Sequence, residues 1–208
     1  LLVLLDDKLA SLTAASRARV VAALAIAQGE LARGHTGDNP WVGCVLVGLD
    51  GEVLACGHTQ GPGENHAEIA ALAAAKARGL AVAGTTMYST LEPCSFHGRT
   101  PACSRVLIEN RVGRLIFGMR DPNPRVDGEG ARILQRGGVE TLEGVCEAEI
   151  RRQLGEWVFT YHPHEPRRRA AALRATCSPA ELIALLAEVY AVAPSRVAEL
   201  LQSADGPV

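Results

Sequence analysis

The sequence predicts an α/β fold, one sheet with crossover helices, on three observations. Short apolar, β-branched runs alternate with helical patterns in the order ββαβα and then βαβα. Asp50-Gly51 joins the first two runs as a tight hairpin. Glycine and proline punctuate the joins at Gly34, at Gly61-Pro62-Gly63 and at Gly137-Gly138. The 208 residues, 48% hydrophobic and 21% charged, supply enough apolar material for a core. That length suits one domain, or one domain with an appendage.

The elements follow in order. Leu12, Val20, Leu24, Ala27 and Leu31 mark one face of an Ala-rich helix over 8–33, which Gly34 ends. Val42 to Leu49 is a buried strand, and Glu52 to Gly57 returns from the hairpin as the second. Ala67 to Ala77 is almost all Ala, Leu and Ile, a buried helix beginning at His66. Thr85 to Leu91 is the third strand. A polar loop follows, then a helix from Pro101, where proline fits the first turn. Arg114 to Gly118 is the fourth strand, Gly128 to Gln135 a helix, Val139 to Leu142 the fifth strand, and Cys146 to Trp157 a helix.

Residues 162–179, with three prolines and Arg167-Arg168-Arg169, read as a linker. The arginines there are a solvated stretch or a surface ion-pair set. Ser178-Pro179-Ala180-Glu181 is a capping box with proline at the first helical position. Leu182, Leu185, Leu186 and Val189 continue that helix, Pro194 breaks it, and Val197, Leu200 and Leu201 begin another. The expected organisation is a main domain over 1–160 and a linker with a helical extension over 161–208.

Lys+Arg 21 against Asp+Glu 23 leaves a net charge of −2. With no basic excess and only 4% aromatic residues, a nucleic-acid partner is not expected. No apolar stretch approaches the roughly 18–20 residues of a membrane span. Leu1 to Leu5 are apolar but are followed at once by Asp6 and Asp7, and no basic n-region precedes them. The expectation is a trimmed or processed N-terminus and a cytoplasmic protein. Six cysteines, about 3% of the chain, lie far below the roughly 8–10% of disulfide scaffolds. In a reducing compartment such thiols are buried, ligate metal or do chemistry. Cys44 and Cys56, among apolar strand neighbours, read as core thiols, while Cys146 and Cys177 lie away from every motif.

The chemistry sits in His66-Ala67-Glu68 and in Pro93-Cys94 with Cys103 nine residues on. One imidazole and two thiolates give three ligands for a tetrahedral Zn²⁺, with the fourth position open for water. Zinc lowers the pKa of that water towards 7. Glu68, two residues after His66 at a helix start, is placed to move protons without being a ligand. Both halves fall at strand-to-helix junctions, where helix N-termini favour thiolate. A closed structural site would need a fourth ligand; His97, three residues after Cys94, is the candidate for one.

His-x-Glu followed by Pro-Cys and a second Cys is the zinc-deaminase signature. In nucleoside and nucleic-acid deaminases two residues usually separate the cysteines; here eight intervene, Ser95 to Ala102. With this longer insert the chain resembles the riboflavin-biosynthesis deaminases of the cytidine deaminase-like superfamily. The resemblance covers about residues 15–160. It rests on Thr36-Gly37-Asp38-Asn39-Pro40-Trp41-Val42-Gly43-Cys44, Asn65-His66-Ala67-Glu68, Leu91-Glu92-Pro93-Cys94 with Gly98-Arg99-Thr100-Pro101, and Asp121-Pro122-Asn123-Pro124.

The resemblance implies a three-layer α/β/α fold with a mixed five-stranded sheet. It implies a substrate, the diaminopyrimidinone ribosylamine 5′-phosphate made from GTP, and an assembly into dimers or tetramers. It assigns zinc to His66, Cys94 and Cys103, and proton transfer to Glu68. Asn39 takes the place of the asparagine that contacts the pyrimidine, and Arg99 that of a basic residue near the phosphate, with Thr100 assisting. Phe96 stands where many members have histidine, with His97 beside it, and lines the pocket or packs the loop. Thr59 likewise replaces a common histidine, with His58 adjacent. Asp38 replaces a common proline or serine, and Ala102 a common proline. Relatives often carry a fused reductase. The stretch after residue 160 has no Gly-rich dinucleotide fingerprint, so a separate reductase is expected if the pathway is that of riboflavin. A secondary pathway using the same intermediate, such as one to an azapteridine toxin, would need the same reaction. The alternatives are a deaminase of another nucleoside, nucleobase or nucleic acid, and a non-catalytic zinc-binding interaction module.

Overall fold

A computed structural model describes residues 12–203, which fall into two compact units dividing after Glu147. The apolar run Leu1 to Leu5 and the first four residues of the helix expected over 8–33 lie outside the described residues. No described helix is long and apolar enough to cross a membrane.

In the first unit, helix α1 spans Ala14–Ala32, its start fixed by Thr13, whose Oγ1 accepts the Ser16 N–H at 3.2 Å. Strands β1 (Gly43–Val47) and β2 (Val53–His58) form the expected antiparallel hairpin. Helix α2 is Ala67–Ala77 with His66 as its N-cap residue, and β3 is Thr86–Leu91. Helix α3 (Cys103–Glu109), β4 (Arg114–Met119), helix α4 (Glu129–Arg136) and β5 (Glu140–Glu143) complete the alternation. The sheet order is β2-β1-β3-β4-β5. β1 is antiparallel to both neighbours, while β3/β4 and β4/β5 are parallel, so the sheet is mixed and five-stranded as expected.

The two sheet faces can be read from two close approaches. A Cβ on Gly43 would meet the Ala25 carbonyl oxygen of α1 at 1.9 Å. A Cβ on Gly57 would meet the Ala67 carbonyl oxygen of α2 at 2.4 Å, and Gly57 pairs with Cys44. Neighbouring residues of one strand face opposite ways. Helices α1 and α2 therefore cover opposite faces, and the architecture is three layers, α/β/α. Val21 and Ala25 of α1 pack with Val45, Val47, Tyr88 and Ile116 on the first face. Burial there removes apolar surface at roughly 25 cal/mol per Å². Cys44 is fully buried and burial pushes its thiol up, in keeping with an inert core thiol, whereas Cys56 is only partly buried.

Strand directions decide where the loops go. Gly43 pairs with His58, Cys44 with Ser89, and Leu91 with Met119. The N-terminal end of β1 and the C-terminal ends of β2, β3 and β4 thus share one edge of the sheet. The segments before Gly43 and after His58, Leu91 and Met119 all emerge there, and these carry the four motifs on which the family resemblance rests.

Three expectations are corrected. The third helix begins at Cys103 rather than Pro101: Ala102 is its N-cap residue in an extended conformation (φ −57°, ψ 125°), which leaves Pro101 outside the helix. The helix expected over Cys146 to Trp157 is two. Cys146 sits at φ 58°, so helix α5 begins at Glu147 and ends at Gln153, and Leu154 separates it from α6 (Gly155–Tyr161). The stretch 162–179 is largely not a linker, because residues His164–Leu173 form helix α7.

Within the second unit, α7 is anchored by Glu165, which is 6% exposed. Its carboxylate meets Arg151 of α5 at 3.0 Å and Arg169 at 3.7 Å, and accepts the Tyr190 hydroxyl. Composition alone does not reveal these contacts, since Arg151 and Tyr190 lie on other helices. Helix α8 (Pro179–Tyr190) begins with the expected capping box at Ser178, and α9 (Pro194–Gln202) follows with Pro194 in its first turn. Arg167 bonds the Ser203 hydroxyl at 2.7 Å.

Candidate metal and active site

His66 and Cys103 each stand at the start of a helix, and Cys94 lies in the loop that leaves β3. The strand directions above bring these segments together. His66 Nδ1 lies 3.4 Å from Cys103 Sγ and 3.8 Å from Cys94 Sγ. All three donor atoms lie within 4.8 Å of one another. Zinc bond lengths of about 2.3 Å to sulfur and 2.0–2.1 Å to nitrogen, at a tetrahedral angle, put S and N about 3.6 Å apart. The observed separations bracket that value, so the donor set fits the ion.

Backbone donors shape the same cluster. The Cys103 N–H, free at its helix N-terminus, donates to Cys94 Sγ at 3.2 Å, and the Ser104 N–H donates to the Cys94 carbonyl at 3.2 Å. Hydrogen bonding from Cys103, together with His66, holds the Cys94 thiol well below the usual thiol range. Glu68, in the first turn of α2, is 4% exposed. Burial, assisted by the neighbouring Cys94, lifts its pKa to about 6, against the opposing pull of His66. A carboxylate in that range accepts and returns protons near neutral pH.

The remaining expected site residues surround this group unevenly. Asn39 is half-buried, its N–H bonded to the Thr36 carbonyl at 3.2 Å and its own carbonyl accepting the buried Thr36 hydroxyl at 2.7 Å. Phe96 is half-buried, with the Arg125 guanidinium 3.8 Å from its ring centroid. Thr100 is half-buried, and its carbonyl accepts the Gly98 N–H at 3.1 Å. His97 is exposed and outside the three-ligand group. Thr59 is buried and bonds Val42 through both backbone and hydroxyl, a strand-end role. Arg99 forms a two-pronged ion pair with Asp38, at 2.7 and 2.8 Å. That bond holds the Asp38 carboxyl below its ordinary range.

Two acidic residues carry roles that the sequence reading left unassigned. Glu92, 2% exposed, accepts backbone N–H groups from Gly128 at 2.9 Å, Ala131 at 3.1 Å and Asp121 at 3.4 Å. It thereby caps α4 and ties it to the strand end that presents Cys94. A Cβ on Gly130 would lie 2.1 Å from the Pro93 carbonyl oxygen, so α4 is seated directly on this segment. The available signal was a charged residue directly after a buried strand. Asp121, in the loop after β4, has its pKa lifted to about 7 by burial, although its side chain accepts the Asn123 N–H.

Comparison with known proteins agrees with this geometry. Residues 17–119 match the cytidine and deoxycytidylate deaminase zinc-binding region family. The chain is 39% identical over 142 residues to the riboflavin biosynthesis protein RibD of Aquifex aeolicus, covering 68% of this chain and 38% of that one. It is 45% identical over 127 residues to the RibD of Escherichia coli, covering 61% and 34%. A solved diaminohydroxyphosphoribosylaminopyrimidine deaminase/5-amino-6-(5-phosphoribosylamino)uracil reductase of Thermotoga maritima superposes with a TM-score of 0.66 at 34% identity, covering 71% and 42%. The chain thus spans well under half the length of these relatives.

Proposed function

We propose that this chain, whose residues 17–119 belong to the cytidine and deoxycytidylate deaminase zinc-binding family, hydrolytically deaminates a phosphorylated, GTP-derived diaminopyrimidine. The substrate class is the one in the name of the Thermotoga relative, and the pathway is riboflavin biosynthesis. The observation that carries this reading is a buried carboxylate, Glu68, two residues from the histidine of a three-ligand His/Cys/Cys group.

In this reading His66, Cys94 and Cys103 hold Zn²⁺. When bound, the ion supplies a Lewis acid that makes a water nucleophilic at neutral pH. Glu68 would accept a proton from the attacking water as a C–O bond forms at the amine-bearing ring carbon, and would pass it to the adjacent ring nitrogen. The second proton returns through Glu68 to the leaving amine. One C–N bond breaks, one C–O bond forms, and the products are the ring carbonyl and ammonia. Asn39, in its fixed turn, orients the pyrimidine, and Arg99 with Thr100 receives the phosphate. Phe96 and His97 contribute to the outer wall of the pocket. The location proposed is the cytoplasm, with the protein as a dimer or tetramer, which light scattering would measure.

The test is ammonia release from the diaminopyrimidine ribosylamine phosphate, with zinc quantified alongside. Wild type should turn over, and Glu68→Gln should keep zinc but lose roughly 10²–10⁴-fold, the contribution of a general acid–base residue. Undiminished turnover by Glu68→Gln would reject the assignment. Turnover of cytidine but not of the diaminopyrimidine would reject the substrate.

A further inference from the structure

Asp38 and Arg99 are 61 residues apart, yet their carboxylate and guanidinium meet in a parallel, two-pronged bond of 2.7 and 2.8 Å. Asp38 lies in the turn before β1, and Arg99 in the loop between Cys94 and Cys103. Both segments emerge at the sheet edge that holds the metal ligands. Neither position is incidental. The Asp38 turn is built on the buried Thr36 hydroxyl, and Gly37 takes a left-handed φ of 64° there. The Arg99 loop is tied at both ends by the two cysteines.

The fork of an arginine binds a carboxylate or a phosphate with the same two parallel N–H donors. The Asp38 carboxylate therefore occupies the bond that an anionic substrate group would need. The two side chains are 53% and 52% exposed, so the pair is open to exchange rather than sealed. An exposed ion pair is weak in water, a low threshold for displacement.

We propose that Asp38 is a specificity-determining residue: an internal anion seated on Arg99 that only a ligand bringing its own phosphate displaces. This rests on the reading above in which Arg99 receives the substrate phosphate, and it adds a competitor for that site. A phosphate monoester, with up to two charges and three oxygens, outcompetes one carboxylate. A neutral or dephosphorylated ligand leaves the pair closed and gains nothing from Arg99.

The experiment is calorimetric binding to the zinc-loaded full chain, with ribose 5-phosphate and ribose as probes at fixed ionic strength. The proteins are wild type, Asp38→Asn, Arg99→Ala and the double variant. Removing the competing charge should tighten ribose 5-phosphate by about 1.4- to 5-fold, equivalent to roughly 0.2–1 kcal/mol. Ribose should not respond, and the gain should vanish in the Arg99→Ala background. Unchanged or weaker ribose 5-phosphate binding by Asp38→Asn would overturn the proposal, since Asp38 would then be organising the fork rather than competing for it. A gain that persists without Arg99 would overturn it too, as a general effect of net charge. Binding is read without turnover, so a chain that shows this pattern but releases no ammonia would sink the deaminase reading and leave the competition intact. A chain that deaminates but lacks the pattern would do the reverse.

Discussion

Glu92→Ala should be among the most damaging single changes outside the metal ligands. The carboxylate is 2% exposed and accepts two well-formed backbone bonds, from Gly128 at 2.9 Å and Ala131 at 3.1 Å, and a longer one from Asp121 at 3.4 Å. A hydrogen bond to a charged group is worth roughly 1.5–3 kcal/mol, and a buried donor left unpaired costs about 1–3 kcal/mol. A carboxylate at a helix N-terminus adds about 0.3–1 kcal/mol. Water entering the vacated space returns part of this, so the net loss should be about 3–5 kcal/mol for Glu92→Ala. Glu92→Gln keeps one carbonyl acceptor and should lose about half as much. Guanidinium unfolding at saturating zinc measures both, and the zinc dissociation rate should rise with them, because Glu92 adjoins the Pro93-Cys94 segment. A loss under about 1 kcal/mol for Glu92→Ala would refute the reasoning. Equal losses for the two variants would show that the charge and second oxygen do no work.

Other outcomes follow from the same structure. Cys94→Ala and Cys103→Ala should each lose zinc, since two remaining donors hold it poorly; elemental analysis showing full occupancy in either would remove that residue from the ligand set. Glu165→Ala leaves Arg151 buried without its 3.0 Å partner and should cost roughly 3–5 kcal/mol, whereas Arg33→Ala, on the exposed pair with Glu30, should cost under about 1 kcal/mol. His162 stands 4.6 Å from Trp157, and burial, with His164 nearby, depresses its pKa to about 4. A histidine with a folded pKa below its unfolded value binds fewer protons when folded. Its contribution is therefore present above the unfolded pKa, about 6.5, and lost as pH falls towards about 4. Partial exposure discounts the loss to about 1 kcal/mol at about pH 5. His162→Phe should narrow the gap in denaturation midpoint between about pH 7 and about pH 5, and an unchanged gap would reject the assignment.

Most of the fold was legible because the first unit is built from local signals. Each strand but the last is an apolar or β-rich run, each helix has its own period, and Asp50-Gly51 fixes the first pairing. Ala67–Ala77 was read to the residue because a nearly uniform apolar helix has one place to start, after His66. Errors came where a non-local contact outweighed composition. Residues around Arg167-Arg168-Arg169 look like solvent-exposed linker by charge alone. They form a helix because Glu165 finds Arg151 and Tyr190 on two other helices. The start of α3 was misplaced for a similar reason: Cys103, whose N–H bonds Cys94, opens the helix, rather than the proline before it.

The site divides along the same line. His66, Cys94 and Cys103 could be named as a candidate ligand set from donor type and local spacing, and Glu68 from its place two residues after His66. The charges that tune the site are invisible to spacing. Asp38 and Arg99 are 61 residues apart, and Glu92 reaches α4 across 36 and 39 residues. Nothing in either stretch announces its partner. The sheet supplies what spacing lacks, since placing the start of β1 and the ends of β2, β3 and β4 at one edge makes these distant loops neighbours. The ligand loops thus share one end of the sheet with the Asp38–Arg99 pair and with Glu92. In the proposed reading, substitutions at Asp38 or Phe96 should change substrate preference without touching the ligands. Replacing Glu92 instead disturbs the segment that presents Cys94, so variants at that position should lose metal and stability together.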